Sequence, residues 1–498
     1  MPVRPPSKTP SLAVLAAILA LGGCGGRASG LLGVGSGSND GGPSGNVTGT
    51  PEGSIGESQP EPSVADSPSS TGTEGSSGNP VTILDAGTDA TGAGTGSVDA
   101  TGGLEASSAR IDATDATETD ADVVVPCGPP SAGTYFVDPV AGHDDDGGTG
   151  SQSCPYKSLA HALSLVGDAG APVTVEIVNM NAAPTLSQST GEVFPITVPG
   201  GVTIIAEDTT KNTPTVEVTP SQGPFSSQVQ SAAAEAVPAG TAIGFYLGGA
   251  GARLSHLVVS GPGQTQSGRD EGVILGAGGE VIDHVTVQNF KGFVGAIVVT
   301  ELANADAGAP VIGPGVVAIG NGQAGLHIAE GSPVVIGGQG ADRTAFEANN
   351  FGIYVWGGPA TLIVQGTSID PAHPDQNDVD VDNNSIGLFL QNSSIATPSN
   401  VRGLHIAGNS YVGILCAIPL TLRGSYIANN QAGGFQVDGP TPNGIDIGNP
   451  VGSDYGRNIF VGNTGGDICG ASAQQPVLAA GNIFGTIDCA VGGKLDPR

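Results

Sequence analysis

The apolar positions of this chain fall into one short, recurring phrase. Between Asn349 and Val437 an Asn is followed, after a small gap, by a Gly and then by three residues whose outer two are apolar. Gly352-Ile-Tyr-Val, Gly387-Leu-Phe-Leu, Gly413-Ile-Leu-Cys and Gly434-Phe-Gln-Val are its clearest copies, with Asn350, Asn384, Asn409 and Asn430 just upstream. Gly244-Phe-Tyr-Leu, Gly272-Val-Ile-Leu, Gly295-Ala-Ile-Val and Gly325-Leu-His-Ile are earlier ones. The middle residue varies, from Tyr246 to His327 to Gln436. An apolar residue at every second position is the period of a β-strand, and glycine this frequent excludes long helices.

Successive Gly positions lie 28, 23, 30, 27, 35, 26 and 21 residues apart. Units of this length cannot bury an apolar face alone and must stack on their neighbours. A second column repeats in step: Val401-Arg-Gly-Leu-His-Ile aligns with Leu422-Arg-Gly-Ser-Tyr-Ile, and Val364-Gln-Gly-Thr-Ser-Ile follows more loosely. Each coil therefore carries at least two strands between Gly and Asn turns. The recurrent Asn predicts a ladder of side-chain amides that satisfy turn backbone groups. Irregular spacing favours an all-β fold of the right-handed parallel β-helix kind over the left-handed hexapeptide kind. A β-propeller is the alternative, but its blades need longer antiparallel units.

Order is expected to begin near Cys127. Thr134 to Val137 reads as a strand. A Gly/Asp turn follows, then a short helix with Leu159, Ala162, Leu163 and Val166 on its apolar face, suited to capping an open stack end. Strands are predicted at Val173 to Val178, Ile196 to Val198, Val202 to Ala206 and Thr215 to Val218, a loop at 221–240, and the repeats from Thr241 to Asp488. In Asp467-Ile-Cys an acid falls on an expected apolar position. The stretch Val137-Asp-Pro, Gly142, Asp144, Gly148-Thr149, Pro155-Tyr-Lys-Ser-Leu159 and Ala162-Leu163 resembles the opening motif of an uncharacterised bacterial family, a domain of unknown function. Its members are right-handed β-helices of the pectate-lyase-like superfamily. The resemblance implies that fold, a pectin-lyase-like solenoid with a short N-terminal capping helix, and places Asp144, Asp145 and Asp146 in a structural turn. It implies no particular activity.

The first 126 residues have another character. Arg4, Lys8 and the apolar run Ser11 to Leu21 form an export signal too short to span a bilayer. Leu21-Gly-Gly-Cys24 resembles the bacterial lipobox, which implies a cleaved signal at 1–23 and a lipidated Cys24 anchored in the cell envelope, at the outer membrane or cell surface. Residues 24–126, rich in Gly, Ser, Thr, Pro and acids, with Asp-Ala-Thr recurring, predict a disordered, extended linker. The expected folded regions are then 127–220, a cap with the first coils, and 221–498, the solenoid. A net charge of −31 excludes nucleic acid as a partner. Export permits disulfides. Of the six Cys, Cys127 with Cys154 and Cys469 with Cys489 are placed to pair, whereas Cys416 reads as a buried free thiol. The Cys residues form no Cys-x-x-Cys and have no accompanying His spacing, so they do not suit zinc.

Candidate chemistry is sparse. Asp378, Asp380 and Asp382 alternate onto one face of a strand and suit Ca²⁺, a cation that prefers oxygen ligands. A solvated insertion explains them as well. Arg402 and Arg423 share a column on adjacent coils and suit a carboxylate or sulfate of an acidic glycan. Two arginines offsetting local acids is the plainer reading. His256 and His284 lie 28 residues apart and are expected to stack. Catalytic motifs of the Gly-x-Ser-x-Gly, P-loop and His-Glu-x-x-His kinds are absent from the sequence, and a single Trp356 offers little for sugar stacking. The expectation is a monomeric, non-catalytic surface or glycan-binding lipoprotein without a cofactor. The alternative is a Ca²⁺-dependent lyase or a hydrolase on acidic polysaccharide, with Arg402 and Arg423 as catalytic suspects. The superfamily resemblance supports that alternative, because its polysaccharide lyases set basic residues and Ca²⁺-binding acids on one face.

Overall fold

The computed structural model describes residues 127–145, 147–167, 172–179, 182–221, 225–232, 237–264, 269–300, 302, 305–329, 332–337, 342–356, 361–366, 379–391, 398–438, 444–451, 454–469, 477–485 and 495–496. The export signal, Cys24 and the linker lie outside the described residues, as do Asp146, Asp378, Cys489 and the side chain of Cys469. The chain divides into Met1–Ile111 and Asp112–Arg498, and the described residues belong to the second unit. Among the described residues no helix is long and apolar enough to cross a membrane.

The fold is all-β, and its ladders are parallel. Among the described residues the strands form one sheet of 22 and one of 10. From Ile297 onward each repeat gives one strand to the smaller sheet and two to the larger, and in the two repeats before it the larger sheet receives one long strand each, Arg253–Ser260 and Val281–Gln288. Ile386–Gln391 belongs to the smaller sheet, Ser399–Arg402 and Leu404–Ala407 follow in the larger, and Val412–Cys416 returns to pair with Ile386–Gln391. Three strands per repeat is one more than the minimum the sequence implied. Inward positions such as Leu388, Leu390, Ile414, Cys416, Leu404 and Ile406 are fully buried in one continuous core running from Val137 to Ala479. Burial pushes the Cys416 thiol up to about 12, so it behaves as a small apolar core residue.

The glycine column has a steric cause. A Cβ on Gly352, Gly387 or Gly413 would meet the carbonyl of the equivalent glycine in the next repeat at 2.7, 2.6 and 2.7 Å. The early copy at Gly295 is shifted by one, because Ile297, not Ala296, pairs with Val273 and Leu326. Ala296 therefore holds the glycine position there. The predicted amide ladder is present as Asn321, Asn349, Asn384, Asn409, Asn430 and Asn463, all buried. Each backbone N–H donates to the side-chain oxygen of the next: Asn349 to Asn384 at 2.9 Å, Asn384 to Asn409 at 2.9 Å, Asn409 to Asn430 at 3.1 Å. The member in its repeat is Asn349, not Asn350, whose amide reaches only Gln323 at 3.3 Å. A residue with positive φ precedes every ladder Asn, as at Ala348, Asn383, Gly408 and Asn429, and turns the amide inward.

At the N-terminal end Thr134–Val137 pairs with Val173–Ile177, and helix α1 (Leu159–Val166) covers the core with Leu159, Ala162 and Leu163. Cys127 and Cys154 are disulfide-bonded. Asp144 accepts from the Lys157 and Ser158 N–H groups at 2.8 and 3.1 Å and from the Ser158 hydroxyl, so it builds the turn before α1. The expected 221–240 loop contains helix α2 (Ser227–Ala232). Val229 packs with Phe225 and Val237 against Tyr246 and Ile274 on the outer face of the smaller sheet. That outer face is apolar, and an apolar face must be covered.

Glu192 caps α1, accepting from the Leu159 and Ala160 N–H groups at 2.8 and 3.1 Å. Burial raises its carboxyl to about 7 against those two bonds. The folded state therefore holds a proton that the unfolded chain releases above its ordinary value near 4.5. This contribution to stability is complete below that value and is lost as pH rises through about 7. Denaturation midpoints at pH 5 and pH 8 should differ by on the order of 2–3 kcal/mol more in the wild type than in Glu192→Gln. Equal pH slopes for the two proteins would disprove the assignment.

Candidate functional site

The part of each repeat in the larger sheet turns a corner, between its two strands from Ile297 onward and within the single strands Arg253–Ser260 and Val281–Gln288 before that. The corner residue is left-handed at His256, His284, Gly315, Gly403, Gly424, Arg457 and Gly481, with φ from 51° to 73°. The outward positions just before it place Ser255 beside Asp283, and Gln365, Arg402 and Arg423 in one column. The polar side chains that the sequence singled out converge along this corner in three groups.

The first group is closed. The His256 and His284 rings stack with centroids 4.3 Å apart, as their 28-residue spacing predicted. Asp283 accepts from Arg253 at 2.7 Å, from the Ser255 hydroxyl, and from His284 Nδ1 at 3.1 Å, while His284 Nε2 reaches Asp342 at 2.9 Å. Burial works to raise the Asp283 carboxyl, but these bonds outweigh it and hold the group below its usual range. Burial likewise opposes the charge on His284, and its two carboxylate partners more than reverse that. Ser255 is buried and gives its one proton to Asp283, so His256 Nδ1, 2.7 Å away, must donate to Ser255. That direction is the reverse of a nucleophile-activating triad, in which the imidazole takes the serine proton.

The second group contains two of the three acids assigned to Ca²⁺. Asp380 lies beside His405 in register, and His405 beside Tyr426; the repeat alignment implied the second pairing but set Ser368 where Asp380 stands. Asp380 and Asp382 both face His405 Nδ1, at 2.9 and 3.2 Å. Arg343, which the sequence gave no reason to include, pairs with Asp380 and Glu347 and lies 3.7 Å from Asp382.

The third group lines a cleft of about 330 Å³ bounded by Gly366, Arg402, Gly403, Arg423, Gly424, Asp454, Tyr455, Gly456 and Arg457. Arg402 and Arg423 are paired in register, yet their situations differ. Arg423 is buried and grips Asp454 with Nε and Nη2 at 3.0 and 2.7 Å. It also donates to the Leu422 and Asp446 carbonyls at 2.9 Å each, and Nη2 lies 2.9 Å from the Asp446 carboxylate. Arg402, Tyr455 and Arg457 are exposed. The Arg423 bonds hold Asp454 below the carboxylate range, with the Arg402 charge assisting. Asp454, Tyr455 and Arg457 follow a longer connection than its neighbours have, so the repeat pattern does not reveal them.

Aromatic side chains, sparse in the sequence, are concentrated on the other sheet. His327, Tyr354 and Phe389 stack at centroid distances of 5.0 and 5.1 Å, with Trp356 at the edge of His327. Burial lowers the His327 pKa to about 4, so the ring is neutral.

Comparison with known proteins gives a family and little chemistry. Residues 140–488 match a family described as protein of unknown function (DUF1565). No curated protein matches the chain. Among solved structures, the selenomethionine derivative of the GH136 lacto-N-biosidase from Eubacterium ramulus is similar over 68% of each chain, with 12% sequence identity and a TM-score of 0.28.

Proposed function

This chain belongs to the DUF1565 family of proteins of unknown function, and on that premise we propose that it is a non-catalytic binder of acidic polysaccharide. In this reading residues 127–498 form a right-handed parallel β-helix, with the first coils in 127–220. Cys24, lipidated after removal of 1–23, anchors the chain in the cell envelope, and 24–126 tethers the binding domain. The observation that carries the reading is the cleft at the corner. Two exposed guanidinium groups, Arg402 and Arg457, flank a floor of glycines, with Tyr455 beside them. Glycines let a ligand approach the backbone, and arginine suits the planar carboxylate or sulfate of an acidic sugar. In a chain of charge −31 a local pair of cations is a site of selection, since most of the surface repels such a ligand.

Binding without catalysis follows from the acids nearby. Asp446 and Asp454 are the counter-ions of Arg423, and Asp454 is held too low to serve as a general acid near neutral pH. The test uses the purified full chain with polygalacturonate, a sulfated glycan and a neutral glucan. The acidic polymers should bind and weaken steeply with salt, and the neutral one should not. Arg402→Ala and Arg457→Ala should each reduce affinity at least about tenfold without shifting the melting temperature. Ultraviolet absorbance should show no new unsaturated ends. Binding indifferent to both substitutions would sink the proposal, and unsaturated product lost in Arg402→Ala would replace it with a lyase.

A further inference from the structure

The second corner group carries a separate inference. His405 Nδ1 sits 2.9 Å from Asp380 Oδ1 and 3.2 Å from Asp382 Oδ2. The Asp380 side chain is only 3% exposed. Both Asp380 Oδ1 and His405 Nδ1 are buried, and neither has a hydrogen bond of acceptable geometry. A nitrogen lone pair facing two carboxylate oxygens is repulsive unless a cation lies among them. Ligand atoms at about 2.1 Å from one metal ion are about 3.0 Å apart at octahedral angles and about 3.4 Å apart at tetrahedral ones, and the 2.9 and 3.2 Å found here lie close to that range.

The remaining atoms hold these donors in place. The other Asp380 oxygen pairs with Arg343, and Asp382 Oδ1 accepts from the Ala407 N–H at 2.8 Å. The His405 ring stacks on Tyr426 at 5.4 Å. Outer contacts of this kind orient metal ligands. The His256–Asp283–His284 group brings similar residues together, but its contacts are mutual: Asp283 serves Arg253, Ser255 and His284, and His284 spans Asp283 and Asp342.

We propose that Asp380, Asp382 and His405 bind a divalent transition-metal ion. The imidazole nitrogen favours Zn²⁺ over the Ca²⁺ that the carboxylates alone suggested, and the two carboxylates also suit Mn²⁺. The site is distinct from the arginine cleft and stands whether or not that cleft binds a glycan.

The test strips the full chain with chelator and titrates it calorimetrically with Zn²⁺, Mn²⁺ and Ca²⁺. One Zn²⁺ or Mn²⁺ per chain should bind, at least tenfold tighter than Ca²⁺. His405→Gln and Asp382→Asn should each weaken that ion by 10- to 100-fold, while His256→Gln and Arg402→Ala leave it unchanged. Should either ligand variant fail to fold, Co²⁺ added to the wild type provides a second reading, with visible d–d bands expected at one equivalent. No binding of any ion, binding that survives His405→Gln, or a wild type without Co²⁺ bands would overturn the proposal. In those cases the group would be a histidine–carboxylate ion pair.

Discussion

Asn409→Ala is expected to destabilise the folded domain by about 3–5 kcal/mol, far more than an exposed polar substitution. Asn409 is fully buried, and its side chain serves two neighbouring repeats at once. Its oxygen accepts from the Asn384 N–H at 2.9 Å, and its amide donates to Asn430 Oδ1 at 2.8 Å and to the Val381 carbonyl at 3.3 Å. Alanine takes the side-chain partner from the Asn384 N–H and the Val381 carbonyl, at about 1–3 kcal/mol for each, and one of two donors from Asn430 Oδ1, which keeps the Asn409 N–H. The loss is not confined to one repeat, because stacked units draw their stability from the interfaces between them. Asn350→Ala is the control, since its amide makes one long contact, to Gln323, and it should cost less than about 1 kcal/mol. Urea midpoints of the two variants decide the matter. A loss below 1 kcal/mol for Asn409→Ala, or equal losses for both, would mean that the ladder is ornamental.

The same ladder shows how far the sequence could be read. Alternation of apolar residues after each glycine identified the strands, because side chains on a strand must alternate between core and exterior. The glycine was legible because a Cβ there has no room, and the Asn because a buried turn needs its N–H satisfied. The ladder assignment failed at Asn349 and Asn350, where two amides are adjacent and only the positive φ of Ala348 decides which turns inward. It slipped again at Gly295, where alanine substitutes in the column. Helix α2 reads as a loop in the sequence because its span is short and its apolar residues, Phe225, Val229 and Val237, are few. At the corner, the alignment of Val401-Arg with Leu422-Arg placed Arg402 beside Arg423 and His405 beside Tyr426 in the observed register. Arg343, Asp454 and Arg457 were not legible. They arrive from connections of unequal length, and sequence periodicity says nothing of where such a connection returns. Charge alone also made Arg402 and Arg423 look equivalent, whereas burial separates them.

That separation sets the second large effect. Arg423→Ala should cost about 3 kcal/mol of stability, because it breaks a buried ion pair on one side only. The Arg423 side chain is 5% exposed and uses its guanidinium fork on Asp454 while reaching Asp446 and two carbonyls. Removing it leaves two carboxylates facing each other across the space it filled. Asp454 is half exposed, so water screens part of the cost and keeps the loss at the lower end of the range for such pairs. Lysine retains the charge but not the planar fork, so Arg423→Lys should recover less than half of the loss. Arg402→Ala, on an exposed side chain in the neighbouring repeat, should shift the denaturation midpoint by no more than about 0.5 kcal/mol. The comparison assigns the two arginines different work. Loss of glycan binding in Arg402→Ala at unchanged stability would locate recognition at the mouth of the cleft. Loss in Arg423→Ala would come with unfolding and say only that its walls had moved. If Arg423→Ala keeps the wild-type midpoint in guanidinium chloride, Arg423 is not a structural clamp, and the cleft has a third cation available to a ligand.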